Sequence, residues 1–257
     1  ALPSQLPKAG SIADGLGTDI DWSNSSSALS ANWTPFTDND AVTYEYAIGS
    51  GSGNGSSETN YSLSFDGVDD YVSISDANEL DGMDQLTVQF WLNLYEYSLD
   101  NQKGNMFLGK SESGSNSNPN QSYSFYTHHD ADALTFLVRT ESGSIGVNLF
   151  GYSAYLSLNQ WYLLTGVYNG EKVQLYIDGT PMAESDLNGT VNQTDFPLQF
   201  ASSFDRPYLK TTNGQMDEVQ IWNEALTQDQ IQSYMTTSPT GNETGLVGYW
   251  NFNEGTG

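Results

Sequence analysis

The chain contains no cysteine. Disulfides and thiolate metal sites are therefore excluded, and stability must come from packing or from hard cations. Positive charge is scarce as well. Seven Lys and Arg face 32 Asp and Glu, for a formal net charge of −25. Such a surface repels nucleic acid and anionic membranes, and it suits divalent cations. No stretch approaches the ~20 consecutive apolar residues of a membrane-spanning helix, so no membrane insertion is expected. No signal peptide is visible from Ala1. The two histidines are neighbours, His128 and His129, followed by Asp130. Adjacent strand residues point to opposite faces, so the trio reads as a polar loop and not as a metal site.

What is present is a long series of short alternating segments. Leu86–Leu94, Asn105–Gly109, Tyr123–Tyr126, Ala133–Val138, Ile145–Leu149 and Trp161–Tyr168 read as strands, with Leu63–Phe65 and Tyr71–Ile74 before them. Asn169-Gly170 turns Trp161–Tyr168 into Lys172–Ile177 as a hairpin, and Asp178-Gly179 marks the next turn. The stretch Met216–Trp222 is a further strand that buries one face. Its Asp217 needs backbone N–H groups or a cation to compensate for desolvation. Helix is expected only near 227–235, where Thr227 and Gln230 have capping-box spacing. Many short strands with regular turns predict an all-β antiparallel sandwich of jelly-roll type.

The polar run GSGSGNGSSETN, residues 49–60, is a linker by composition. It divides the chain into a segment 1–49, a Gly/Ser linker 50–60 and a domain 61–257. Within the first segment, Thr18–Trp22, Ala28–Trp33 and Val42–Ile48 read as strands. LSANWTPFTD followed by YEYAIGS resembles the opening strands of a fibronectin type III-like or Ig-like module, here only partial.

In the long domain, LSFDGVDDYVSI, LTVQFWLNL, WYLLTGVYNGEKVQLYIDGTPMA, GQMDEVQIWNEALTQDQI and GLVGYWNFNEGTG follow in order. Together they resemble the laminin G-like, concanavalin A-like jelly-roll domains of bacterial secreted and surface proteins. The resemblance implies an extracellular or cell-surface location and other domains of a longer chain as partners. It also implies a calcium ion at the rim of the sandwich.

Candidate ligands for Ca2+ are Asp66, Asp69 and Asp70, crowded into one turn, and Asp217. Carboxylates are hard donors suited to that ion, and converging like charges repel unless neutralised. A polysaccharide or other glycan would need aromatic platforms beside polar groups. Tyr95, Tyr97, Tyr123, Tyr126, Tyr152, Tyr155 and Tyr208 lie in or beside polar loops and strands and are the candidates. Trp91, Trp161 and Trp222 lie in apolar runs and are expected in the core. The Glu-x-Asp-x-x-Glu strand of jelly-roll glycanases is absent, as are a Gly-x-Ser-x-Gly elbow and a phosphate-cradling loop. The expected function is thus a non-catalytic, calcium-stabilised, lectin-like module. The alternative is a structural or adhesion module that makes protein or filament contacts without sugar.

Overall fold

A computed structural model describes residues 12–14, 31–33, 61–97, 104–111, 121–128, 131–201, 209–210 and 212–253. The chain divides into two units, 1–54 and 55–257. In the first, β1 (Ile12–Asp14) pairs antiparallel with β2 (Ala31–Trp33), Ile12 opposite Trp33. The strands expected at 18–22 and 42–48 lie outside the described residues.

The second unit is a two-sheet sandwich. Its strands are β3 (Leu63–Asp66), β4 (Val72–Ile74), β5 (Leu86–Leu94), β6 (Gly104–Ser111), β7 (Gln121–Thr127), β8 (Ala133–Thr140) and β9 (Gly143–Phe150). They continue with β10 (Trp161–Tyr168), β11 (Lys172–Ile177), β12 (Thr180–Asp186), β13 (Leu198–Phe200), β14 (Leu209–Lys210), β15 (Asn213–Trp222) and β16 (Leu246–Trp250). Among the described residues there is one α-helix, α1, spanning Gln228–Ser233. The first sheet has the order β12-β11-β10-β5-β15-β16, with β3 also on β15. The second has the order β4-β13-β6-β7-β8-β9, with β14 on β6. All pairs are antiparallel except the two-residue β14–β6 pair.

Strand parity explains the core. Along β5, Leu86, Val88, Phe90, Leu92 and Leu94 face the second sheet, as period-2 alternation requires. Phe90 meets Phe125 edge-on at 5.2 Å, and Phe125 stacks on Phe136 at 4.7 Å. Gly166 on β10 lies under that stack. A Cβ there would come 2.4 Å from the Phe136 ring, so the sheets can close only over glycine.

The outer face of the first sheet is half covered. Helix α1 sets Ile231 into a second cluster with Leu163, Val167, Tyr176, Trp222 and Leu226. Its start is fixed by a capping box: the Gln230 N–H donates to Thr227 Oγ1 and the Thr227 N–H to Gln230 Oε1. Loss of such a cap costs about 1 kcal/mol. Beneath the helix, Thr165 donates to Gln89, and both Gln89 and Trp222 donate to Gln220. These buried amides are therefore satisfied across three strands.

Candidate functional site

Four strands of the first sheet end or begin together. Trp161 opens β10 opposite Asn93, Leu94 closes β5 opposite Gly214, and Asn213 at the start of β15 faces Asp66 at the end of β3. The loops of this end are tied to one another. Asn159 N–H donates to Leu94 O at 2.8 Å and Tyr95 N–H to Asn213 O at 3.0 Å. Tyr97 donates from its hydroxyl to Leu156 O and Ser153 O. Ser153 in turn donates to Asp132, in the loop between β7 and β8 of the second sheet. One rim of the sandwich is thus a connected set of loops on a rigid sheet.

That rim carries the exposed apolar surface. Among the described residues, the exposed large hydrophobic side chains are Val68, Tyr71, Tyr95, Phe150, Tyr155 and Trp161. All six lie at this end: two in the β3–β4 loop, one after β5, one closing β9, one in the loop to β10 and one opening β10. Four are Tyr or Trp, which pair an apolar face with a polar handle.

The same loop between β3 and β4 gathers the acids. One carboxylate oxygen from each of Asp66, Asp69 and Asp70 lies within 4.8 Å of the others, and all three residues are exposed. Asp66 Oδ1 accepts the Val68 N–H at 2.7 Å, and Asp70 Oδ2 accepts the Asp66 N–H at 2.9 Å. These bonds hold the turn in place. Gly67 sits in it with φ of 79°, and a Cβ there would strike Asn213 at 2.8 Å. Three hard oxygen donors converging on one side of a fixed turn fit a Ca2+ ion.

Asp217 is not part of this cluster. It lies four residues along β15 from Asn213, roughly 13 Å at strand rise, and is 6% exposed. Its Oδ1 accepts the N–H of Glu218 at 2.8 Å. Glu218 has φ of 52° and occupies a bulge, where the β5 register slips between Asp217 and Gln220. The backbone therefore supplies Asp217 with one of the two kinds of compensation its burial requires, and the structure does not bring it to the acidic turn. Glu218 Oε2 accepts the Tyr249 hydroxyl at 2.7 Å. Burial, followed by this bond to Glu218, holds the Tyr249 hydroxyl well above the usual tyrosine range.

The tyrosine candidates divide by exposure. Tyr95 and Tyr155 are exposed at the rim. Tyr97 is half-buried and packs edge-on against Tyr152 at 5.9 Å. Tyr126 is half-buried beside His128, ring centres 5.2 Å apart. Tyr123 and Tyr152 are fully buried, which corrects their placement on a ligand surface. Tyr123 points inward from β7 and donates to Leu80 O. Its hydroxyl is raised far above its ordinary value by burial and then by the charge of Asp81. Tyr208, His129 and Asp130 lie outside the described residues.

Trp161 is corrected in the other direction. Trp222 is buried as expected, Trp91 is only half-buried against the same cluster, and Trp161 is exposed. Tyr162, Leu164 and Tyr168 pack on the inner cluster, so parity turns Trp161 outward. Tyr71 was likewise hidden, read as a strand residue when it closes the acidic loop. A shallow depression lined by Gln174, Pro181, Met182, Ala183 and Glu184 lies on β11 and β12.

No curated protein sequence matches the chain. Among solved structures, a Bacteroides ovatus protein described provisionally as carbohydrate-binding aligns with a TM-score of 0.54 at 18% identity, over 75% of this chain and 53% of its own. A heptameric SAP-like pentraxin from Limulus polyphemus aligns with a TM-score of 0.54 at 16% identity, over 77% and 94%. The binding domain of Paraclostridial Mosquitocidal Protein 1 aligns at 0.51 and 16% identity, over 70% and 47%. The chain thus spans about half of the first and third of these and nearly all of the pentraxin. At such low identity these alignments show a shared fold and nothing more. Residues 66–232 match the Laminin_G_3 family model, and the chain therefore belongs to the concanavalin A-like lectin/glucanases superfamily.

Proposed function

We propose that this protein is a non-catalytic, extracellular glycan-binding module, and that its binding surface is the rim carrying Tyr71, Tyr95, Tyr155 and Trp161 around the acidic turn. The observation that carries this reading is the segregation of every exposed large hydrophobic side chain among the described residues to that one end. Exposed apolar side chains gathered at one end mark a candidate contact surface. Sugar rings present apolar C–H faces that stack on aromatic rings, while their hydroxyls take polar groups at the margin. Tyrosine and tryptophan beside carboxylates and amides match that chemistry.

In this reading Asp66, Asp69 and Asp70 hold a Ca2+ ion. The ion would neutralise converging carboxylates and could accept sugar hydroxyl oxygens. The net charge of −25 disfavours a sulfated or uronate-rich ligand unless the ion bridges the two. The strand acids Asp217 and Glu218 are engaged by a backbone N–H and a tyrosine hydroxyl, which favours a structural role over a reactive one. Residues 1–49 act as a fibronectin-like spacer in a longer surface protein.

A glycan array probed with and without chelator tests this. Selective retention that weakens in chelator is expected. Homotypic association without sugar retention would favour a structural adhesion module, and release of reducing ends would make the protein an enzyme.

A further inference from the structure

The opposite end of the sandwich holds a different arrangement. Lys110, on β6, is fully buried. Its ammonium forms an ion pair with Asp76 Oδ1, which follows β4, and with Asp81 Oδ2 at 3.1 Å, which follows a 3-10 turn at Asn78–Leu80. It also donates to two backbone carbonyls ahead of β13, Thr194 O at 3.1 Å and Phe196 O at 2.7 Å. Four oxygens from two chain segments, 76–81 and 194–196, thus surround one nitrogen that has only three N–H bonds.

Asp81 gives a second, independent indication. It is 4% exposed, and its Oδ2 accepts from Thr194 N–H, Thr194 Oγ1 and Ser122 Oγ. Its Oδ1 is buried with no hydrogen-bond partner. A buried acceptor without a donor is costly. Two carboxylates around one ammonium also leave a net negative charge that a divalent ion would cancel.

We infer that these oxygens form a hard-cation site occupied by the chain's own Lys110 ammonium, and that removing this side chain opens the site to a divalent ion such as Ca2+. Two carboxylates and two carbonyls are the donors that Ca2+ takes, at shorter distances than an ammonium. Asp81 Oδ1, on the same carboxylate, is a further oxygen left without a partner. The built-in cation joins the segments around 76–81 and 194–196 to β6 whatever the calcium level. Ion dependence in the native protein is then confined to the far rim.

The test uses the full chain carrying Asp69→Asn and Asp70→Asn, so that the rim cluster does not respond. On that background, Lys110→Ala and Lys110→Met are melted in chelator and in millimolar calcium. Both variants are expected to melt below their parent in chelator. Calcium should raise the Lys110→Ala midpoint by about 5 °C or more, as a ligand specific to the folded state does. Lys110→Met, whose side chain still fills the space, should not respond. Sensitised terbium luminescence should appear with Lys110→Ala alone. Equal calcium responses in the two variants would overturn the inference. So would a Lys110→Ala chain that melts like its parent in chelator, or one that stays unfolded in calcium.

Discussion

Tyrosines of one composition class end up in opposite environments. Tyr95 and Tyr155 stand exposed, while Tyr123 and Tyr152 are sealed in the core. Replacing Tyr155 or Trp161 by Ala is therefore expected to weaken glycan retention about tenfold or more, the equivalent of roughly 1.4 kcal/mol, and to leave the melting midpoint nearly unchanged. Replacing Tyr123 by Ala should cost about 3–5 kcal/mol of stability, the usual loss for a buried aromatic. Affinity electrophoresis and thermal melting of the same variants separate the two effects. The sequence could name residue types for this surface but not their exposure. Trp161 opens an apolar run, WYLL, whose two faces are both covered further along, by the core and by α1. Alternation is then invisible in hydrophobicity, and only the pairing of Trp161 with Asn93 reveals its direction. The acids separate in the same way. Asp69→Asn with Asp70→Asn should abolish any calcium-dependent rise in melting midpoint. Asp217→Asn, which weakens a bond to the bulged backbone, should lower the midpoint equally with and without calcium. Melting curves in chelator and in calcium decide this, and a calcium response lost in Asp217→Asn would return that residue to the ion site.

At the scale of elements, β15 shows how a strand accommodates acids. The bulge at Glu218 lets Asp217 satisfy a backbone N–H and turns Glu218 toward Tyr249. Tyr249 and Tyr123 are both held above the ordinary tyrosine value, chiefly by burial. Unfolding returns them to about 10, so the unfolded chain loses protons first as pH rises. Their contribution to stability is complete below about pH 10 and is lost above it. The urea midpoint is expected to fall through that range, and less steeply in Tyr249→Phe. A midpoint that stays level, or an unchanged slope in the variant, would contradict this. Long alternating strands such as β5 and β10 were legible because each spans several repeats. Strand β12 was not: Thr180–Asp186 is polar and contains Pro181, which a sheet edge tolerates and a central strand does not. Strands β13 and β14 are too short to display a period. The capping box at Thr227 and Gln230 was legible because its signal lies within four residues.

At the scale of the whole sandwich unit, opposite electrostatic solutions stand at its two ends. One end packs a lysine between two aspartates inside the protein. The other leaves three aspartates close together in an exposed turn, at the same end as exposed tyrosine and tryptophan. Surface of that kind is soluble with a charge of −25 and still offers an apolar footing to a neutral ligand. The sandwich class was readable from strand number and turn spacing, whereas the gathering of distant loops into one rim was not, because it depends on strand order. Affinity electrophoresis against a panel of polysaccharides, comparing the native chain with a Tyr95→Ala, Tyr155→Ala, Trp161→Ala variant in calcium, tests the rim most directly. The account predicts selective retardation of the native chain by at least one neutral polysaccharide and none for the equally folded variant. Retardation that persists unchanged in the variant, or none for either chain across the panel, would contradict it.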